Sequence, residues 1–199
     1  MTIYHLKTPL SESETRQLKV NDVLYISGLV VTARDQAHKR LLEHVRTGRS
    51  LPIDMRGLAI YHCGPVVKRE DDKWLVVAAG PTTSTRMEPF TADLIRDLGI
   101  RVIIGKGGMG VKTTEAMSRY GAVYASFTGG AAVLAASLIK SVKCVEWLDL
   151  GMPEALWVLE VERFGPLIVA IDSHGKNLYM EVASEVEARR SQIYKKLGL

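Results

Sequence analysis

The segment that decides the fold is WLVVAAGPTTSTRMEPFTADLIRDLGIRVIIGKGGMG, residues 74–110. Its residue pattern predicts an apolar strand over 74–80, a polar loop, a helix over 89–100 and a second strand over 101–108. Alternation of strands and helices favours a parallel β-layer with helices packed against it. The loop carries four hydroxyl side chains followed by an arginine, TTSTR, at the point where a strand gives way to a helix.

The same periodicities predict the elements on either side. Upstream we predict a strand over 22–33, a helix over 34–48, a loop over 51–57 and a strand over 57–67, which pairs with 74–80 across a charged turn at 68–73. Downstream we predict a helix over 111–121, a strand over 122–128, a helix of small residues over 129–142, strands over 144–150, 155–164 and 166–175, and a terminal helix over 181–199. The predicted fold is therefore a single α/β domain over 1–199, with mixed sheets in two layers and outer helices. A doubly wound three-layer sheet is the alternative.

Composition and charge narrow the class of protein. The chain has 199 residues, of which 24% are charged and 47% hydrophobic, and its net charge is +4. These values are ordinary for a globular protein, and the basic residues form no run that favours nucleic acid as a partner. No apolar stretch approaches the roughly 20 residues that span a bilayer, so we expect no membrane partner. The N-terminal residues MTIYHLKTPLSESE lack the apolar core of a signal peptide.

Two cysteines, Cys63 and Cys144, lie far apart in the chain. A reducing compartment and buried thiols are the simplest interpretation, so we predict a cytoplasmic protein. Two thiols cannot supply three or four cysteine ligands to a metal cluster, and we predict no metal site on this chain.

Three predicted strand–helix junctions each carry a cation: Arg34, Arg86 and Lys106. In α/β folds the carboxyl ends of strands are where ligands bind, and guanidinium groups bind carboxylates through paired hydrogen bonds. If the sheet brings the three cations together, they would bind a small dianion. The hydroxyl run could instead be a helix cap, although one hydroxyl is enough for that purpose.

The other candidate residues have structural alternatives. The glycine-rich stretch GKGGMG, with Gly105, Gly107 and Gly108, could bind an anion at a helix N-terminus or simply form a tight turn. Asp35 and His38 share one face of the predicted helix, where Asp35 could be an N-cap and His38 a solvated side chain.

Several motifs together resemble the class I, iron–sulfur-dependent fumarate hydratases and the related L-tartrate dehydratases. They are TARDQAHKR (32–40), GPTTSTRM (80–87), IGKGGMG (104–110), LGMPEALWV (150–158) and FGPLIVAIDSHG (164–175). The resemblance extends from about Leu10 to Leu178 and is to the β subunit of the two-subunit enzymes, or to the C-terminal domain of the single-chain ones.

The resemblance implies a swivelling β/β/α fold and an α subunit that carries a [4Fe–4S] cluster, in an α2β2 complex. It also implies reversible hydration of fumarate to (S)-malate, with Thr82 as the catalytic base and Arg34, Arg86 and Lys106 as ligands of the substrate carboxylates. His38 is a second candidate catalytic residue, and Asp35 with the three glycines would support the site.

Three other functions stay open at this point. L(+)-tartrate dehydration is the same chemistry on a substrate with one more hydroxyl, and the motifs do not separate it from fumarate hydration. A module that binds a phosphate or another anion would need no partner. A purely structural scaffold leaves the three strand-end cations unexplained.

Overall fold

The computed structural model describes residues 1–198, and the chain is a mixed α/β protein, which confirms the predicted class. The strands are β1 (Ile3–Lys7), β2 (Val23–Thr32), β3 (Ala59–Tyr61), β4 (Val66–Glu70), β5 (Lys73–Ala78), β6 (Val102–Gly105), β7 (Val123–Ser126), β8 (Ile139–Glu146) and β9 (Leu156–Ile171). The helices are α1 (Glu12–Thr15), α2 (Asp35–Thr47), α3 (Glu88–Leu98), α4 (Val111–Tyr120), α5 (Ala132–Ser137) and α6 (Leu178–Leu197).

Seven strands form one sheet in the order β1-β2-β3-β6-β7-β9-β8, and β9 also pairs with β2. The pairs from β1 through β7 are parallel, whereas β9 runs antiparallel to β2, β7 and β8. Strands β2, β3, β6, β7 and β9 therefore form a closed ring. The open, doubly wound alternative does not describe this sheet, and the swivelling arrangement stays a prediction.

Alternating side chains of the ring supply two hydrophobic cores. On β3, Ala59 and Tyr61 belong to the inner core together with Trp157 and Phe164 of β9. Ile60, between them, belongs to the outer core, which lies beneath helices α2, α3 and α4. Gly48 and Gly99, predicted to end helices, follow α2 and α3 with left-handed φ values of 66° and 65°. The parallel strands β3, β6 and β7 are thus buried on both faces, and the carboxyl ends of β2, β3, β6 and β7 lie at the same end of the ring.

The predicted pairing of 74–80 with the preceding strand is correct, but its place in the sheet is not. β5 pairs with β4 in a separate two-stranded sheet, so it is not part of the parallel layer. The prediction of one strand over 57–67 is also wrong, because the chain leaves the main sheet after Tyr61 and begins the hairpin at Val66. Side chains of β5 are alternately exposed and half-buried, since only one face of this hairpin packs on the protein.

Three predictions between residues 129 and 175 are wrong because sheet pairing overrides local propensity. The helix predicted over 129–142 is limited to α5, and the following residues form β8, which pairs with β9. The strand predicted over 144–150 ends at Glu146 and is followed by a single helical turn at Leu148–Leu150. The strands predicted over 155–164 and 166–175 are one strand, β9, which continues through Gly165 by shifting register against β2.

The chain termini also differ from the prediction. The first strand is β1, which the sequence reasoning missed, and it adds to the edge of β2. The terminal helix begins at Leu178 rather than 181, and its predicted last residue, Leu199, lies outside the described residues. Among residues 1–198, no helix is both long and apolar enough to cross a membrane.

Candidate active site

The three predicted cations lie at the same end of the ring, where the parallel strands have their carboxyl ends. Arg34 follows β2, Lys106 follows β6, and Arg86 lies on a single helical turn, Ser84–Met87, that precedes α3. This turn is tied to the end of β6, because Ser84 N donates to the Lys106 carbonyl at 2.8 Å and Lys106 N donates to the Thr82 carbonyl at 3.3 Å. The hydroxyl run therefore lies beside the carboxyl ends of the parallel strands, where the prediction placed it.

Thr82 and Arg86 are in direct contact. Arg86 Nη2 donates to Thr82 Oγ1 at 3.0 Å, and the same nitrogen lies 3.1 Å from a carboxylate oxygen of Asp35. The Arg86 side chain is 45% exposed, so part of its guanidinium remains open to a ligand. A cation that donates to a hydroxyl oxygen favours loss of the hydroxyl proton, because it stabilises the alkoxide.

Lys106 is the most accessible of the three cations. It is exposed, and its side chain passes Gly129, where an added Cβ would lie 4.0 Å from the ammonium nitrogen. Its charge is therefore presented beside the loop that follows β7. Lys106 is absent from the ion pairs formed among residues 1–198, whereas Arg34 and Arg86 each have a carboxylate partner.

Arg34 is held from two sides. Its Nε lies 3.2 Å from Glu154 without the alignment of a hydrogen bond, and its side chain packs on Gly64. A Cβ at position 64 would lie 2.7 Å from Arg34 Nη1, so glycine is required for this approach. The Glu154 carboxylate also accepts the Gln36 N–H at 2.8 Å, which joins the start of α2 to the loop before β9.

His38 is fully buried beneath this edge. Its Nδ1 lies 2.8 Å from the Arg34 carbonyl oxygen, and burial lowers its pKa to about 4 although the nearby Asp35 opposes the shift. The ring is therefore neutral at physiological pH. Since His38 has no exposed surface in this chain, its predicted contact with a substrate stays a prediction, and its observed contact is with the backbone that carries Arg34.

The structure does not support the alternative that the hydroxyl run is a helix cap. Neither Thr83, before the helical turn, nor Met87, before α3, provides a side-chain hydrogen bond to a helix N-terminus. Ser84 instead supports the loop from below: its Oγ lies 2.9 Å from His62 Nδ1 and accepts from Tyr124 at 3.1 Å. A Cβ at Gly105 would lie 2.0 Å from Ser84 Oγ, so that glycine makes room for the serine.

The glycine-rich turn has its own internal explanations. Glu88 accepts from the Gly110 N–H at 2.6 Å and from the Thr113 N–H at 3.2 Å, so a carboxylate of this chain already occupies the N-terminus of α4. Gly107 and Gly108 have left-handed φ values of 81° and 76°. A Cβ on Gly108 would also lie 2.5 Å from the Tyr179 ring. This turn is therefore built mainly by packing, which weakens the prediction of a phosphate site there.

The cysteines do not form a cluster site on this chain. Cys63 is buried in the inner core, and burial raises the pKa of its thiol to about 12, whereas Cys144 lies on β8. Within residues 1–198, no group of three histidine, cysteine or carboxylate side chains is arranged to hold a metal ion.

Sequence reasoning missed several residues that contact the predicted ones. His62 ends a strand at the same edge in YHCGP, which was a usable signal, but Glu154 and Tyr124 come from distant segments and carry no local pattern. The SHG stretch at 173–175, included in the strand predicted over 166–175, forms a turn in which Asp172 accepts from the backbone of His174 and Lys176.

Comparisons with known proteins identify the family of the chain. The family model described as Fumarase C-terminus matches residues 2–182. The L(+)-tartrate dehydratase subunit beta of Escherichia coli (strain K12) is 44% identical over 192 residues, which cover 96% of this chain and 94% of that protein. A protein of Geobacillus stearothermophilus named "Putative fumarate hydratase class I" is 44% identical over 188 residues, 94% of this chain but 35% of that longer protein. The chain belongs to the Fumarase C-terminus family.

Proposed function

We propose that this chain is the β subunit of a hydro-lyase that adds water to, or removes it from, a four-carbon dicarboxylate. The observation that carries the proposal is the contact between Thr82 and Arg86 at a strand edge that also presents Arg34 and Lys106. Membership of the family and 44% identity to a tartrate dehydratase β subunit support the same reaction class.

The cations have the charge to hold such a substrate. Arg86 and Lys106 are exposed, and both contact Thr82, Arg86 through its side chain and Lys106 through its backbone; Arg34 lies on another of the strand–helix junctions. Two carboxylates that bind guanidinium and ammonium groups would leave the central carbons beside the Thr82 hydroxyl. Asp35 and Glu154 offset part of the positive charge and fix the two arginines, which lowers the entropy lost when substrate binds.

Thr82 would act as the base. In the dehydration direction it takes the proton from the carbon next to one carboxylate, and hydroxide leaves from the adjacent carbon as the double bond forms. Arg86, which donates to Thr82 Oγ1, would stabilise the alkoxide form that accepts this proton, and the cations would stabilise the negative charge that develops on the carboxylate.

The acid that assists the departing hydroxide would come from a partner. Because the described cysteine, histidine and carboxylate side chains do not fit a metal centre, we propose that an α subunit contributes a [4Fe–4S] cluster, whose iron would supply Lewis-acid chemistry. The open strand edge, with Arg86 and Lys106 exposed, is the surface that such a subunit would complete. An α2β2 complex is the proposed assembly.

Two substrates are supported by the comparisons. The relatives include L(+)-tartrate dehydratase subunit beta and a protein named for class I fumarate hydratase, at the same 44% identity. We propose both L(+)-tartrate dehydration and the interconversion of fumarate and (S)-malate as candidate activities. A regulatory anion-binding module is less favoured, because Glu88 fills the helix N-terminus that would bind the anion.

The test is co-expression with a candidate α-type subunit from the same source, anaerobic purification and assays on L-tartrate, fumarate and malate. We expect the complex to turn over at least one of them, and the chain purified alone to be colourless and inactive. An iron-loaded, active preparation of this chain alone would contradict the subunit assignment, and a cluster-loaded complex inactive on all three substrates would contradict the function.

A further inference from the structure

His62 lies beneath the candidate site and contacts the hydroxyl run twice. Its backbone carbonyl accepts the Thr82 N–H at 2.7 Å, and its ring Nδ1 lies 2.9 Å from Ser84 Oγ. Its ring has no exposed surface. His62 thus contacts the loop at Thr82, the proposed base, and again at Ser84.

The hydrogen bonds around Ser84 have a direction. Tyr124 donates its hydroxyl to Ser84 Oγ at 3.1 Å. Ser84 satisfies its own buried hydroxyl hydrogen by donating to His62 Nδ1, which places the proton of the neutral His62 ring on Nε2. With Tyr124 as donor, a proton on His62 Nδ1 would leave the Ser84 hydrogen without an acceptor among the described residues. The tautomer with the proton on Nε2 satisfies Ser84, although the buried Nε2 has no hydrogen-bond partner among those residues.

His38 lies next to His62 and contacts the backbone of Arg34. The Arg34 carbonyl oxygen, 2.8 Å from His38 Nδ1, can only accept, so that nitrogen carries the proton and Nε2 is an acceptor. The His38 and His62 rings are edge to face with centroids 5.0 Å apart. In this arrangement the Nε2 atom of His62 is a donor and that of His38 is an acceptor. A proton added to either ring would place a positive charge in the interior.

We propose that His62 is a positioning residue for Thr82, acting through Ser84 and through its own backbone carbonyl; this inference rests on the hydro-lyase function proposed above. Ser84 Oγ packs against Gly105, where an added Cβ would lie 2.0 Å away, and the His62 ring holds it there by a hydrogen bond. Thr82 Oγ1 is thereby held against Arg86. Arg34 lies on another element, and Arg86, although it shares the turn with Ser84, keeps its ion pair with Asp35. Loss of the contact should therefore affect the chemical step more than binding.

Substitution of His62 tests the role kinetically in the complex with the α subunit. His62→Leu keeps a buried side chain of suitable size and removes both ring nitrogens. We expect kcat to fall by about tenfold or more, because small displacements of a reacting group are costly, while KM changes by less than about twofold. The melting temperature should fall modestly, because the buried Ser84 hydroxyl loses its acceptor, so the kinetics are measured well below it. His62→Asn, whose Oδ1 can replace Nδ1 as acceptor, should restore most of the rate.

Ser84→Ala tests the same contact from the other partner and decides the question if His62→Leu does not fold. It should lower kcat as His62→Leu does, and the double variant should be no slower than the single ones, because both act through one hydrogen bond. Thr85→Ala is the matched control: it removes an exposed hydroxyl of the same run and should keep full activity. A purely structural serine would instead lower the melting temperature and leave kcat unchanged.

Nitrogen NMR of the histidines in the full chain gives a readout that does not depend on activity. We expect the proton on Nε2 in His62 and on Nδ1 in His38. The opposite tautomer in His62 would overturn the role of Ser84. If the wild-type complex is active and both His62→Leu and Ser84→Ala fold with kcat within about twofold of the wild-type value, the positioning role is overturned and the proposed function stands. A wild-type complex inactive on every dicarboxylate overturns the proposed function instead.

Discussion

At the scale of single residues, the geometry gives Thr82 and Arg86 different proposed roles, Thr82 as the proton acceptor and Arg86 as a substrate ligand. Thr82 Oγ1 receives one hydrogen bond, from Arg86, and Arg86 in turn is held by Asp35. Removing the threonine hydroxyl deletes the proposed base but leaves the cations in place. Removing the guanidinium deletes a ligand of the substrate and also the group that stabilises the base.

Thr82→Ala and Arg86→Met should therefore differ in steady-state kinetics of the assembled enzyme. We expect Thr82→Ala to lower kcat by roughly 10²-fold or more with little change in KM, as for loss of a general base. Arg86→Met should raise KM as well as lower kcat, because it acts in both the ground state and the transition state. Near-normal turnover by Thr82→Ala, in a complex that retains its cluster, would place the base elsewhere.

At the scale of elements, α3 and α4 are joined through one carboxylate. Glu88, the first residue of α3, accepts from two backbone N–H groups at the start of α4 and from the Thr113 hydroxyl at 2.8 Å. A carboxylate at this position satisfies donors that have no partner within the helix and interacts favourably with the helix dipole. Because Gly110 follows the turn that carries Lys106, this cap also fixes the glycine-rich stretch.

Glu88→Ala should lower the free energy of unfolding by about 1–2 kcal/mol, the usual range for a lost N-cap with a favourable charge. Urea denaturation measures this directly. Glu115→Ala is the matched control, since it removes an exposed glutamate from α4, the helix that Glu88 caps, and should have little effect. Equal destabilisation by the two variants would show that the Glu88 contacts contribute nothing to stability.

The same scale shows which elements the sequence could predict. Helices α2, α3 and α4 were found within a few residues, because an apolar stripe and a terminal glycine are both local signals. β8 was mistaken for helix, since its strand conformation depends on pairing with β9 rather than on its own residues. β9 was divided at Gly165–Pro166, which resembles a turn when its two neighbouring strands are unknown.

At the scale of the molecule, the candidate site could be predicted only in part. Arg34, Thr82, Arg86 and Lys106 stand at strand ends that the sequence makes visible, and the parallel sheet brings those ends to one edge. Their partners could not be found in the same way. Glu154 reaches Arg34, and Tyr124 reaches Ser84, only because β9 closes the ring and β7 lies beside β6.

The closed ring also buries two histidines, and this should make global stability depend on pH. Burial lowers the pKa of His38 to about 4 and that of His62 well below its ordinary value, with the neighbouring His38 and Arg86 acting in the same direction. Both rings are bases whose folded pKa is depressed. Their contribution to stability is therefore fully present above about pH 6.5, the value for an unfolded histidine, and is lost as the pH falls toward 4.

Between about pH 6.5 and pH 5, the unfolded chain takes up protons that the folded chain excludes. For His38 alone, this lowers the free energy of unfolding by about 2 kcal/mol over that interval, and His62 adds to the effect. Urea unfolding across the interval measures the slope. His38→Gln, which replaces the buried base with a neutral amide, should flatten it by roughly one proton. Identical slopes in the wild-type chain and the variant would mean that His38 is protonated in the folded protein, contrary to its burial beneath Arg34.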